Sequence, residues 1–170
     1  MSQQALLPRH SSAYLSEDGR HRFRLTRRWG DGPALGWCMC NPSTADHTVD
    51  DPTIRRCLGF ARAWGYEAIE VVNLWSWRAT DPTEVVRNLA DAATQTTDTV
   101  LLEVAEACST IVAAWGFSGG TAWGKERAEA VVALLRFHGA ELVCLGRTNN
   151  DSPRHPLYIA KKQKPEPYNP

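Results

Sequence analysis

Three side chains have both the chemistry and the placement to act on a polar substrate: Asn41, Asn73 and His155. Asn41 follows the apolar run 35–40, and Pro42 fixes the chain direction right after it. Its amide therefore stands at a strand tip, where it can orient a water or a polar ligand edge; alternatively, Asn41 and Ser43 simply cap and turn the backbone. Asn73 ends the apolar run 69–72, where an amide is costly to bury without partners. It is either a strand-end cap or the reader of a ligand, and one acceptor with two donors suits the donor–acceptor edge of a pyrimidine. His155 lies in Asn149-Asn150-Asp151-Ser152-Pro153-Arg154-His155-Pro156-Leu157, a polar loop stiffened by prolines. A histidine held there can donate a hydrogen bond to an oxygen that gains negative charge in a transition state. Arg154, Leu157 and Tyr158 are the neighbours a substrate would meet.

Several residues could assist. Asp46 and Asp50 lie in the loop between Asn41 and Thr53, about a dozen residues where roughly 2–6 is ordinary, and could supply a general base or a metal ligand. Asp51, just before Pro52, reads as a helix N-cap. Trp75 beside Asn73 is a candidate stacking surface for a base, or a core residue like most of the seven tryptophans. Arg78 would meet a phosphate or a surface acid. Trp115-Gly116 leads into Ser118-Gly119-Gly120-Thr121, a turn whose N–H groups can take an anion or merely reverse the chain; it lacks the Gly-Lys-Ser/Thr of a phosphate loop. Gly116 is expected as part of the wall of the site.

The elements that must position these groups follow from periodicity. The runs 35–40, 69–72, 111–115 and 141–145 read as parallel strands, which places their polar ends on one sheet edge, where open α/β sheets bind ligands. Two short extended runs, 13–15 and 21–28, flank Glu17-Asp18-Gly19 and predict an N-terminal hairpin at or near a sheet edge. Ile54, Cys57, Leu58, Ala61 and Trp64 form one helical stripe, ended by Gly65. Asp81-Pro82-Thr83-Glu84 should open another helix, with further helices over 98–107 and about 121–138. Strands alternating with helices predict a three-layer α/β/α domain with a mainly parallel central sheet, spanning 1–164, and a loose tail over 165–170.

Composition narrows the function classes. Five cysteines with no C-x-x-C pair argue against a disulfide framework and a zinc ribbon, so a reducing cytoplasm is expected. Cys38 and Cys40 share a strand face, as a metal pair or as packing. No apolar run approaches the roughly 20 residues that cross a bilayer. Net charge is zero but segregated: residues 1–28 carry six arginines against two acids, and 81–106 carries six acids against Arg87. The basic end could track phosphates or be a solvated surface.

Taken in order, these motifs resemble two families. Asn-Pro-Ser-Thr-Ala-Asp and Asp-Asp-Pro-Thr in 35–53, Val72-Asn73-Leu74, Ala114-Trp115-Gly116 and His155-Pro156-Leu157-Tyr158 resemble domain-of-unknown-function family 1643 over nearly the whole chain. The order Asn41-Pro42, Asn73, Trp115-Gly116, His155-Pro156-Leu157 also resembles the uracil-DNA glycosylase superfamily. That second resemblance implies a uracil-DNA-glycosylase-like fold and hydrolysis of the N-glycosidic bond of a damaged or modified pyrimidine flipped out of DNA, in repair or in restriction of modified phage DNA. Asn41 would orient water, Asn73 hold the base, His155 stabilise the departing oxygen, and Leu157 or Tyr158 wedge the stack; no metal or cofactor is implied, and a monomer is expected. Asn41 stands where the fastest members carry a carboxylate, so either Asp46 or Asp50 compensates or the reaction is slow and relies on a good leaving group. A free nucleoside or nucleotide as substrate, a non-catalytic nucleic-acid-binding module, and metal-dependent nuclease chemistry on Asp46, Asp50 and Asp51 are the alternatives.

Overall fold

The computed structural model describes residues 9–116 and 122–170; the turn 118–121 lies outside them. Strands β1 (His10–Leu15), β2 (Arg22–Arg28), β3 (Ala34–Met39), β4 (Ala68–Asn73), β5 (Thr110–Ala113), β6 (Glu141–Cys144) and β7 (Glu166–Pro167) form one seven-stranded sheet. Its order is β1-β2-β4-β3-β5-β6-β7. The central four, β4-β3-β5-β6, run parallel. The pairings β1–β2, β2–β4 and β6–β7 are antiparallel. The expected mainly parallel sheet is thus corrected to a mixed one, because hairpin and tail each add antiparallel neighbours where helical crossovers were absent.

The tail is the second correction. Instead of hanging loose, Glu166–Pro167 pairs with β6, and Tyr168 is buried. Its ring meets Trp115 edge-on at 5.5 Å and lies under the Arg147 guanidinium at 5.1 Å, while its carbonyl accepts from Arg136 Nη2 at 2.7 Å. A single aromatic with two arginine partners docks a segment whose proline-rich sequence looked structureless.

Alternation along β3 divides the core. Leu35, Trp37 and Met39 face helix α1 (Pro52–Ala63), whose Ile54, Cys57, Phe60 and Ala61 pack there with Val71 and Leu145. Cys38 and Cys40 face the other way, into a layer built from α4 (Gln95–Ala107) and α5 (Ala122–Phe137). The cysteine pair is therefore packing, and burial pushes the Cys38 thiol up to about 12. Gly36 is required on this strand: a Cβ there would lie 2.7 Å from Ile111 on the neighbouring strand.

Local capping accounts for the helix bounds. Asp51 caps α1 by accepting from Ile54 N at 2.8 Å, and Pro52 opens it. Asp81 accepts from Thr83 N at 2.9 Å, but that helix stops early and splits into α2 (Thr83–Arg87) and α3 (Leu89–Ala92) at Asn88. α4 starts three residues before the expected Asp98, because Thr94 and Thr97 satisfy each other's backbone N–H as a capping box without the usual Glu or Gln.

The arginines of β2 are held internally. Arg27, nearly fully buried, holds Asp50 at 2.9 Å; Arg24 holds Glu70 at 2.8 Å; Arg28 donates to the carbonyls of Gly30 and Gly32. Of the two readings of residues 1–28, these contacts favour an ordinary surface over a basic face: Arg9 and Arg20, the exposed arginines, lie beside Asp31 and Asp18.

Candidate functional site

Beyond the carboxyl ends of β3 and β5 lies a cleft of about 520 Å³, a size suited to a small organic ligand. Asn41, Ser43 and Thr44 from the end of β3, Asp51 and Thr53 from the start of α1, Gly116 from β5 and His155, Leu157 and Tyr158 from the last loop line it. The loop after β3 and the loop after β6, remote in sequence, thus meet over one space.

Asn41 has a defined amide orientation. Its Nδ2 donates to Ala79 O at 2.8 Å and Pro42 O at 3.2 Å, so the nitrogen must face those two carbonyls. The oxygen is left as an acceptor at the cleft, the arrangement needed to orient a water by one of its O–H bonds.

His155 is equally defined. The Leu157 backbone N–H donates to its Nδ1 at 3.3 Å, which places the proton of the neutral ring on Nε2. Burial holds the imidazole below its ordinary 6.5, with Asp51 opposing the shift. A neutral ring with an Nε2–H donor is therefore the resting form at neutral pH. Its position is enforced by the backbone around it. Gly116 N donates to Pro153 O at 2.9 Å and Arg154 N to Gly146 O at 2.9 Å, stitching the loop to the ends of β5 and β6. Gly116 takes φ +70°, and a Cβ there would lie 3.2 Å from the His155 Cβ.

Two residues that sequence reasoning undervalued also line the cleft. Arg22, 2% exposed, donates from Nη1 to Ala45 O at 2.7 Å, while its buried Nε has no partner. Burial lowers its pKa to about 10, Asp51 opposing, so it stays charged. Asp51, read as a cap, is one; but it also faces the cleft, near enough to act electrostatically on both Arg22 and His155. The signal available for it was its place between a long loop and a helix that starts at the sheet edge; for Arg22 there was none, since it lies in an alternating hairpin strand.

Other expected residues lie elsewhere. Asp46 turns its own loop, accepting from the N–H groups of Thr48 and Val49 at 2.8 Å each, which holds its carboxyl down to about 2. Asp50 is bound to Arg27. Neither lines the cleft, so both are corrected to structural loop acids. Trp75 is 3% exposed and packs on Trp123 at 4.9 Å under α5, on the opposite side of the sheet; it is a core residue. Arg78 donates to the carbonyls of Ser43 and Gly19, tying the hairpin turn to the loop after β3. Arg154 donates to Arg147 O within its own loop. Pro42 is buried and turns the chain.

Asn73 is the residue between these groups. It pairs in register with Met39, a cleft residue, but does not line the cleft itself. It is 3% exposed, and neither Oδ1 nor Nδ2 has a hydrogen-bond partner.

Among the described residues, no group of three His, Cys, Asp or Glu side chains is placed to hold a metal ion, and no helix is long and apolar enough to cross a membrane. No curated protein and no solved structure matches the chain. One family model does: DUF1643, a protein of unknown function, matches residues 22–157, which takes in every cleft residue named above except Tyr158. With most of its length and nearly all of its cleft inside that match, the chain belongs to the DUF1643 family.

Proposed function

We propose that the cleft hydrolyses the N-glycosidic bond of a nucleobase, a damaged or modified pyrimidine in DNA, with the helices on the two sheet faces forming a uracil-DNA-glycosylase-like three-layer scaffold. The observation that carries this is the meeting of Asn41 Oδ1 and a neutral His155 with its proton on Nε2 across one cleft. Asn41 orients the attacking water toward the anomeric carbon. As the bond to the base lengthens, the sugar becomes oxocarbenium-like and the base anionic, and His155 Nε2–H donates to the base oxygen that gains charge. Asp51, rather than Asp46 or Asp50, is the carboxylate at hand to stabilise the cationic sugar and receive the water's proton.

Asn73, which does not itself line the cleft, takes the base-reading role if a bound base reaches past its strand neighbour Met39. A buried amide with both atoms unpartnered is a net cost to the fold, of a kind tolerated where a ligand completes it. Tyr158, 83% exposed and 6.1 Å ring to ring from His155, is the aromatic at the lip that can replace stacking lost on flipping, a role Trp75 cannot fill.

The test incubates the protein with duplexes and mononucleotides carrying natural and modified pyrimidines and looks for free base by mass spectrometry. Release that Asn41→Ala and His155→Ala each reduce at least about a hundredfold is expected, the scale of removing one positioned donor. Release from none of the substrates sinks the proposal.

A further inference from the structure

A second hollow of about 610 Å³ runs along the outer face of α1 beside the cleft. The two share Pro52 and Leu157, so they form one continuous surface around the lip. Its floor is the Phe60 ring, and its walls carry Arg55, Arg56 and Lys161. No acid lines it. The segments that form the walls carry no opposing charge: neither α1 nor the segment 156–164 contains an Asp or Glu. Arg55, Arg56 and Lys161 have no carboxylate partner among the described residues. Arg56 is instead held by the carbonyls of Pro156 and Ile159 and lies over Phe60 at 5.1 Å, a fixed charge on an aromatic floor. In a chain of zero net charge, Arg55, Arg56 and Lys161 make a cationic strip with no carboxylate partner among the described residues, ending at the mouth of the cleft.

We infer that this groove is the track for a DNA strand whose nucleotide enters the cleft, making the substrate a polymer and not a free nucleotide. The inference rests on the glycosidic reading of the cleft for its chemistry, but the groove makes its own prediction. Phosphates on one side of the reacting nucleotide meet Arg55, Arg56 and Lys161. Three such contacts on a single strand give a slope of log affinity against log salt of about −2, at roughly 0.7 per phosphate.

Gly59 allows a test that leaves the fold intact. It lies exposed on α1 in the groove, and a Cβ there would meet nothing within 4 Å. Any residue other than glycine or proline favours the helix at such a position. Gly59→Glu and Gly59→Lys place opposite charges in the groove. Binding of a fluorescein-labelled 20-mer DNA, single-stranded and duplex, is measured against salt, alongside base release from the same DNA and from mononucleotides. The expected result is affinity about tenfold weaker in Gly59→Glu, tighter in Gly59→Lys, and a shallower salt slope in Lys161→Ala, with mononucleotide binding unchanged in all three. DNA affinity indifferent to both Gly59 variants overturns the groove, even if base is released. Groove-dependent binding with no release from any substrate upholds the groove and removes the glycosidic reading. A wild-type dimer that Gly59→Glu dissociates, with DNA affinity unmoved, makes a second copy of the chain the occupant and overturns the inference.

Discussion

Replacing Asn73 by Leu removes two buried polar atoms that have no protein partner and leaves a side chain of similar size beside Val71 and Met39. On structural grounds alone this stabilises the fold by about 1–2 kcal/mol, the desolvation cost of an unsatisfied amide. Urea unfolding should show the midpoint rising in Asn73→Leu, while base release falls; a drop in stability would mean that the amide has a partner that holds the fold. His155 carries the complementary prediction. Its folded pKa is depressed by burial, so its contribution to stability is complete above its unfolded value near 6.5 and is lost as pH falls through the lower folded value. Protonation also turns Nδ1 into a donor facing the Leu157 N–H. Unfolding midpoints followed from pH 8 to 5 should fall more in the native protein than in His155→Gln, and parallel curves would show that the ring is not the titrating group.

At the scale of elements, α1 joins the two halves of the functional argument, since its first turn faces the cleft and its outer face the basic groove. Asp51 both caps it and charges the cleft, and the two roles separate by substitution. Asn caps as well as Asp, so Asp51→Asn should stay within a few tenths of a kcal/mol of the native stability and lose activity, whereas Asp51→Ala should lose about 1 kcal/mol as well. Equal activity in Asp51→Asn and the native chain would confine Asp51 to capping. The elements were largely legible beforehand: continuous apolar runs located β3, β4, β5 and β6, and Asp51-Pro52 located the start of α1. What was not legible has physical causes. The split at Asn88 and the Thr94–Thr97 box depend on local hydrogen bonds that few sequence patterns announce. The acids of the long loop were indistinguishable by type: Asp46, Asp50 and Asp51 differ only in whether a turn, a buried arginine or a helix end takes them. For Trp75 the core alternative holds over the stacking one: β4 ends at Asn73, so strand alternation does not carry on to Trp75, and its ring turns under α5.

For the molecule as a whole, the mixed sheet has unequal margins. Among the described residues β1 is the outermost strand at one margin, and β7, two residues long, covers β6 at the other. Ending the chain at residue 164 removes that cover, the buried Tyr168 and the carbonyl that Arg136 holds. Loss of one buried aromatic costs roughly 1.5–3 kcal/mol, and the bared β6 edge invites pairing with another chain. Truncation should therefore lower the melting temperature and raise the fraction of oligomer seen by light scattering; a truncated chain as stable and as monodisperse as the native one would make β7 dispensable. Charge follows the same whole-molecule logic. Zero net charge concealed a division in which Arg24 and Arg27 of the N-terminal hairpin are paired with Glu70 and Asp50, while Arg55, Arg56 and Lys161 face the groove with no carboxylate partner among the described residues, a distribution visible only once the strands are paired.

The stitched loop that carries His155 has one more consequence. Its base is fixed by the Gly116, Gly146 and Arg147–Pro153 backbone pairings, while its tip turns on Thr148 and Asp151 with Asn149, Asn150 and Asp151 exposed and outside the cleft. The tip is thus mechanically insulated from the imidazole a few residues away. A spectroscopic label or a short peptide insert at Asn149 or Asn150 would ride on the loop without disturbing the site, which makes that position a natural mooring for tethering the protein to a surface with its cleft open to solution.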